Sequence, residues 1–285
     1  MEPTKTQASI PVSVIVITRN EEKNIAKCLN RLTAYDEVFV VDSASTDRTQ
    51  EIARGLGANV VEFRWNGQYP KKKQWSLENL PFRNDWVLWV DADEEVYPEL
   101  TEEIRELMRV GPPYQGYFVA YDYVFMGRVL KHGQQIYKLV FHDRRKGRFI
   151  EQDDLDVKTT GDQEVHVHPR IDGKVGVLHH KMLHDDHDSL HHYFDRHNWY
   201  SDWEAALRAK KLAVNSGAPQ PGVRGMMKRV FDRLPGKPLL VFLYSFVFKA
   251  GALDGSSGFH YAISKAVYYW QIGIKIREYR IKNRL

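Results

Sequence analysis

Three short apolar runs, separated by segments with helical spacing, constrain the fold of this chain more than any other feature. Val12-Ser13-Val14-Ile15-Val16-Ile17-Thr18, Glu37 to Val41 and Asn59 to Phe63 are short and rich in β-branched residues, so they read as buried strands. Between the first two, Ile25, Cys28, Leu29 and Leu32 share a helical face, with Asn20 placed to cap the helix and Glu21 and Glu22 in its first turn. Between the second and third, Ile52, Ala53 and Leu56 point inward and Gly57 suits the C-terminal cap. Strand–helix–strand–helix–strand order predicts an α/β fold, a Rossmann-like parallel sheet with helices on both faces. Ligands of such sheets bind beyond the carboxyl ends of the strands. Acidic residues stand there: Asp42 after the second strand, and Asp91 after a further run, Trp86 to Val90.

A helix from about Tyr97 to Val110, stopped by Gly111-Pro112-Pro113, closes this half. Residues 1–10 read as a tail and 11–115 as the sheet-forming half. Residues 116–212 follow, strand-rich at first (Tyr117 to Tyr121 and Ile136 to Phe141), then dense in histidine from His166 to His197, then helical from about Leu190 to Leu212. Asn215 to Gly222 reads as a linker, and 213–285 as a basic and apolar C-terminal region.

Composition removes several classes. A net charge of +4 without a basic stripe interleaved with aromatics argues against nucleic acid as a partner. One cysteine, Cys28, excludes an internal disulfide and sits in an apolar helical pattern, which makes it a small core residue. The first ten residues lack the basic start and apolar run of a secretory signal. No uninterrupted apolar stretch reaches bilayer length, so a cytoplasmic location is expected.

The strongest chemical feature is Val90-Asp91-Ala92-Asp93-Glu94-Glu95. Two carboxylates one residue apart, in the turn after an apolar strand, can reach one point in space. A hard divalent cation, Mg2+ or Mn2+, prefers such oxygen ligands and keeps positions open for diphosphate oxygens. A bare acidic turn is the plain alternative; the long apolar strand before it and the acidic strand ends upstream favour the metal.

Three ordered segments carry a family resemblance: Thr18-Arg19-Asn20-Glu21-Glu22-Lys23-Asn24-Ile25, then Val41-Asp42-Ser43-Ala44-Ser45-Thr46-Asp47-Arg48-Thr49, then Asp91-Ala92-Asp93-Glu94. Together they resemble the successive signatures of family 2 inverting glycosyltransferases with the GT-A fold, and are similar to the lipopolysaccharide-core β-glucosyltransferase branch. The resemblance implies that 11–115 binds a nucleotide-sugar and that 116–212 faces the acceptor. It implies that Thr18, Asn20, Glu21 and Asp42 line the nucleotide crevice, with Asp42 accepting hydrogen bonds from base or ribose. Asp91 is implied to touch ribose or metal, and Asp93 to ligate a metal bridging the diphosphate. The cation would stabilise charge on the departing nucleoside diphosphate. For Glu21 and Asp47, helix capping is an equal alternative.

Lys71-Lys72-Lys73-Gln74 reads as a solvated charge run at Lys71, while the resemblance puts donor-contacting residues near Lys73 and Gln74. Inverting transfer needs a general base, typically a carboxylate. The related branch carries His-Glu before Gly-x-Val-Gly-x-Leu, here Gly173-Lys174-Val175-Gly176-Val177-Leu178. Aligned on the glycines, the expected Glu falls at Val167. The nearest Glu, Glu164, is therefore the candidate base, with Asp153 and Asp154 in reserve. His184, after the Leu178 segment, is implied as a third metal ligand; its alternative is a hydrogen-bonded histidine at a strand end. A zinc site from His184, His187 and His191 is the weaker account of the histidines, since no cysteine accompanies them.

Pro238 to Phe248 is apolar and flanked by Arg224, Lys228, Arg229, Arg233, Lys237 and Lys249. Apolar and aromatic residues beside basic clusters suit a helical region lying peripherally on the anionic inner face of a bacterial membrane; a buried helix hairpin is the alternative. Leu253-Asp254-Gly255-Ser256-Ser257-Gly258 resembles an element of the same branch. The expected activity is transfer of a sugar, UDP-linked by family habit, to a cell-surface glycan or lipid-linked acceptor such as lipopolysaccharide core. Two rival readings remain: a nucleotidyltransferase, which would usually carry a glycine-rich basic loop where Thr18 to Glu22 stand, and a non-catalytic relative that binds donor without turnover.

Overall fold

The computed structural model describes residues 8–133, 135–151, 162, 167–185, 189–209 and 236–282. Glu164, Asp153, Asp154, His187, the 215–222 linker and the basic residues from Arg224 to Arg233 lie outside these. The chain forms two compact units interleaved in sequence: Met1–Tyr121, Ile136–Ile150 and Pro169–Asp185 in one; Asp122–Gln135, Glu151–His168 and Asp186–Leu285 in the other.

The first unit begins as expected. Strands β1 (Ile10–Thr18), β2 (Tyr35–Asp42) and β3 (Asn59–Glu62) alternate with helices α1 (Ile25–Asn30) and α2 (Thr49–Gly55), and β4 (Trp86–Asp91) completes a parallel array in the order β3-β2-β1-β4. Val14, Ile15, Val16, Val40, Val41, Val87 and Leu88 are fully buried. These central strands are covered on both faces, which is why their sequences are continuous apolar runs rather than alternations. Ile25, Cys28 and Leu29 of α1 are buried, and Gly57 takes φ +82 after α2 while its N–H reaches the Arg54 carbonyl, so no Cβ is strained there.

Asn20 does not cap α1. It has φ +55, and its side-chain oxygen accepts the N–H of Thr46, tying the turn after β1 to the turn after β2. Glu21 and Glu22 precede the helix, which starts at Ile25. Helix α3 (Lys72–Asn79) begins just after Lys71, the lysine expected to be solvated, and takes in Lys72 and Lys73; Lys72 is fully buried. A run of charges hides an amphipathic turn when only one of its members faces inward.

The sheet is mixed rather than purely parallel. Beyond β4 it continues antiparallel through β8 (Ile136–Asp143) and β6 (Gly116–Phe125), then β11 (Val175–His184) and β5 (Glu94–Val96). Too few residues separate Phe125 from Ile136 for the helical crossover that a parallel pairing requires, so β8 returns antiparallel. Helix α4 (Pro98–Val110) buries Leu100, Thr101 and Ile104, and β9 (Gly147–Arg148) and β10 (Arg170–Ile171) form a separate ribbon.

In the second unit the end of β6 pairs with β7 (Arg128–Leu130), and Phe125, Leu130 and Tyr261 form a buried cluster against which Tyr193 packs. Helix α5 (Leu190–Ala209), helix α6 (Lys237–Leu243) with a wide turn over Tyr244–Phe248, a tight turn over Gly251–Asp254, and α7 (Gly255–Lys282) make up the rest. The Leu253-to-Gly258 element has a structural use. Buried Asp254 accepts N–H groups from Lys131 and His132 at 3.2 and 2.9 Å, and a Cβ on Gly258 would overlap the Gly251 carbonyl oxygen. No single described helix is long and apolar enough to cross a membrane; the pair Lys237–Phe248 and Gly251–Lys282, bent by 74°, passes by length and composition.

Candidate active site

Register places the functional groups. Thr18 pairs with Asp42, Ile17 with Asp91, and Asp42 with Glu62, so the parallel strands end flush and their terminal carboxylates share one edge. The antiparallel strands add to it from the other direction. Leu88 pairs with Phe141, and Lys138, further along β8, reaches Asp91 with its ammonium. His184 pairs with Glu94 across β11 and β5.

Asp42 is wholly buried. Its carboxylate accepts the Ser45 N–H at 2.8 Å and the Gln50 amide at 2.6 Å, and also the Ser45 hydroxyl. Thr18 is 2% exposed and, among the described residues, its hydroxyl oxygen has no hydrogen-bond partner. The Asn20 N–H reaches the Ser45 hydroxyl at 2.7 Å, and Glu21 accepts the Asn24 side-chain amide. Asp47 caps α2 through the Thr49 N–H and also receives the Glu22 N–H, which realises the capping alternative for that residue. Thr18, Asn20 and Asp42 thus form one polar ledge across the ends of β1 and β2.

The acidic turn divides into two environments. Glu95 turns toward α1, pairing with Lys27 at 2.7 Å and Arg31 at 3.0 Å, while Lys27 also holds Asp185. Asp91, Asp93 and Glu94 face the other way. Glu94 is buried and central: it accepts the Asp91 N–H at 3.0 Å and Lys138 Nζ at 2.6 Å, and lies 3.5 Å from both the Tyr121 hydroxyl and His184 Nδ1. Lys138 Nζ is 3.2 Å from Asp91, and His184 Nε2 is 3.7 Å from Asp93.

Burial raises the Asp91 carboxyl, but Lys138, Lys73 and His184 outweigh it and hold Asp91 well below the usual carboxylate range. Asp93 goes the other way. Burial pushes it up, His184 opposes, and the charges of Asp91 and Glu94 add to the rise. Burial lowers His184, yet Asp93 and Glu94 carry it above an ordinary histidine. The protein's own cations therefore leave Asp93 the least compensated carboxylate of the turn.

A divalent cation fits that deficit, with carboxylate oxygen and imidazole nitrogen as its donors. Among the described residues, no group of three or more His, Cys, Asp or Glu side chains converges as a ready-made metal centre. Asp91, Asp93 and His184 share the edge, with His184 Nε2 3.7 Å from Asp93. Lys73 contributes to the charge around Asp91, and its Nζ lies 5.9 Å from the Phe149 ring centre. Gln74 is engaged within the fold: its carbonyl accepts the Phe149 N–H and its amide donates to Glu78.

Sequence reasoning quoted Glu94 within the acidic turn without giving it a role, and missed Lys138. The signal for Lys138 was present: a lone lysine in the apolar strand Ile136 to Phe141 needs a buried partner. Its partner could not be named without the register.

A parallel half with acidic strand ends, continued by antiparallel strands that bring a lysine and a histidine to the same edge, has the mixed α/β plan of the GT-A glycosyltransferases. The chain belongs to glycosyl transferase family 2, whose family model matches residues 13–166. Over 95 residues it is 45% identical to an uncharacterised glycosyltransferase, RT0209, of Rickettsia typhi, covering 33% of this chain and about a third (32%) of that relative's length. It is 28% identical over 280 residues to the lipopolysaccharide core biosynthesis glycosyltransferase LpsC of Rhizobium meliloti, covering 94% and 92% of the two chains. Its fold resembles that of a Pyrobaculum calidifontis mannosyltransferase solved with GDP-Man and Mn2+, with a TM-score of 0.52 at 15% identity over 96% of this chain and 90% of the other.

Proposed function

We propose that this chain is an inverting hexosyltransferase that moves a sugar from a nucleoside-diphosphate sugar, UDP-linked in our reading, to a hydroxyl of a cell-surface glycan or lipid-linked acceptor such as lipopolysaccharide core. The observation that carries the reading is the shared edge: Asp42 and Asp91 end the parallel strands β2 and β4 on either side of β1, and the undercompensated Asp93 stands in the turn beyond Asp91. The full-length likeness to LpsC supports the acceptor class, and the mannosyltransferase complex supports a diphosphate donor with a divalent ion.

In this reading the ledge of Thr18, Asn20, Glu21 and Asp42 receives the nucleoside, with Asp42 prealigned by Ser45 and Gln50. Lys73 adds positive charge on the diphosphate side, and Gln74 fixes the Phe149 backbone nearby. Asp93 and His184 would hold Mg2+ or Mn2+, with Asp91 beside it. When bound, the ion supplies Lewis-acid stabilisation of the leaving diphosphate. The acceptor hydroxyl attacks the anomeric carbon as the carbon–oxygen bond to the diphosphate breaks, and a carboxylate takes the hydroxyl proton. Glu164 remains our candidate for that base.

We place the enzyme on the cytoplasmic face of the membrane. On α7, Phe259, Ile263, Val267, Trp270 and Ile274 recur at helical spacing and are exposed, and Leu239, Val247, Phe248 and Leu253 are exposed beside Lys237 and Lys249. Such a face suits an anionic interface.

The test is a screen of UDP-, GDP- and TDP-sugars for Mn2+-dependent release of nucleoside diphosphate in the presence of bacterial lipopolysaccharide acceptors. Metal-dependent release with one donor supports the reading; pyrophosphate release from a nucleoside triphosphate and a sugar phosphate would replace it. Co-sedimentation with phosphatidylglycerol vesicles, reduced at least fivefold in Phe248→Asp/Trp270→Asp, checks the location; equal sedimentation of both proteins would remove it.

A further inference from the structure

Lys138 lies between the first and last carboxylates of the metal-facing group, 3.2 Å from Asp91 Oδ2 and 2.6 Å from Glu94 Oε1, with its Nζ 4.8 Å from the Tyr121 ring centre. Glu94 is 1% exposed, so its charge needs a partner inside the protein. Lys138 is the nearer of its two cationic partners, with His184 at 3.5 Å, and it is held in β8 by register against Val119 of β6 rather than on a flexible loop. The same ammonium is already in contact with Asp91 Oδ2. A divalent ion bound to that oxygen would stand about 2 Å from it and within a few ångströms of the lysine charge. At such separations two cations repel strongly even in a partly wet site.

We propose that Lys138 is a positioning residue that keeps Asp91 and Glu94 in register and keeps the free protein from taking up a divalent ion on Asp91. A divalent ion would then enter chiefly with the donor, and Asp93 and His184 are the residues that would hold it. This rests on the metal-dependent reading above and adds to it an order of assembly: donor and metal bind as a unit. Two observations converge on it. Asp91 Oδ2 has the Lys138 ammonium at 3.2 Å, whereas Asp93 faces the His184 imidazole, with Nε2 at 3.7 Å. The described side chains also form no complete metal cage of their own.

The experiment is titration of the full-length protein with Mn2+, followed by the loss of free Mn2+ signal in electron paramagnetic resonance, with and without UDP or GDP. Wild type should bind Mn2+ at least tenfold more tightly with the matching nucleotide than without it. Lys138→Met should bind Mn2+ alone about tenfold more tightly than wild type and lose most of the nucleotide dependence. Lys138→Arg, which keeps the charge, should stay weak like wild type. A lysine with only a fold-supporting role would leave Lys138→Met equal to or weaker than wild type, and that result overturns the inference. If Lys138→Met does not fold, wild type alone decides: Mn2+ binding unaffected by either nucleotide overturns it. Asp93→Ala separates the two claims. Loss of Mn2+ binding there, with no tightening in Lys138→Met, sinks the role of Lys138 and leaves the metal reading standing. Mn2+ binding indifferent to Asp93→Ala removes the metal reading itself.

Discussion

Two acidic strand ends flank β1 in the same sheet and are compensated in opposite ways. Asp42 is fully buried and satisfied by fixed dipoles, the Ser45 N–H and hydroxyl and the Gln50 amide. The Asp91-Asp93-Glu94 group is balanced by whole charges on Lys138 and His184, and unevenly, so that Asp93 is left short. Dipoles on a rigid turn make a preorganised surface for a neutral ligand such as a base or ribose. Charges in deficit make a place for an ion. One sheet edge thus offers a fixed half and an exchangeable half.

Removing Asp93 should have the largest effect if that division holds. Asp93→Ala is expected to lower kcat on the order of a thousandfold through loss of metal-borne charge stabilisation. Its thermal midpoint should be unchanged or raised, because like charges are relieved. Full turnover in the variant, or a large loss of stability, would break the distinction from the outset.

The two halves also differed in how readable they were from sequence. The parallel array is local: each apolar run, helix and strand-end acid is contiguous, so Asp42 and Asp91 could be placed on one edge by pattern alone. The Glu94 hub is assembled from β4, β5, β6, β8 and β11, and antiparallel register between distant segments is not written in any one of them. His184 was reached through resemblance, not through pattern. The burial of Lys72 was not legible for a related reason: which member of a charged run is solvated depends on what packs over it, and helix α3 turns that one lysine inward.

A second group balanced by fixed dipoles sharpens the contrast, because its energetics should follow pH and ignore metal. His142 is fully buried; its Nε2 accepts the Trp89 indole N–H at 3.0 Å and its Nδ1 donates to the Asp143 carbonyl at 3.1 Å. Burial pulls it down from 6.5 to about 4, against the opposing pull of Asp143. The folded protein holds this ring neutral while the unfolded chain protonates it below 6.5. Its contribution to stability is therefore complete above 6.5, declines as pH falls toward 4, and changes no further once both states carry the proton. That window is worth roughly 3 kcal/mol. Urea unfolding between pH 7 and 4 should show a shallower pH slope in His142→Gln than in wild type, with the difference unaltered by Mn2+. Parallel slopes would refute this.

Asp42→Ala should show a smaller effect of the opposite kind to Asp93→Ala. It strands the donors of Ser45 and Gln50 in a buried site and should cost about 2 kcal/mol of stability, read as a lower urea midpoint. Nucleotide affinity should fall with it while Mn2+ dependence of the remaining activity is retained. A variant as stable as wild type would mean that these dipoles do not depend on the carboxylate.

The smallest effect is expected at Thr18, where the ledge is incomplete. A buried hydroxyl with no partner among the described residues costs free energy in the empty protein. Thr18→Val removes the hydroxyl and keeps the shape, so stability in urea unfolding should be unchanged or slightly raised. If the nucleoside supplies the missing partner, the same change should raise the donor KM about fivefold, the worth of one hydrogen bond near 1 kcal/mol, with kcat held. A donor KM equal to wild type would detach Thr18 from the nucleotide ledge, and the fixed half of the edge would begin at Asn20 and Asp42 instead.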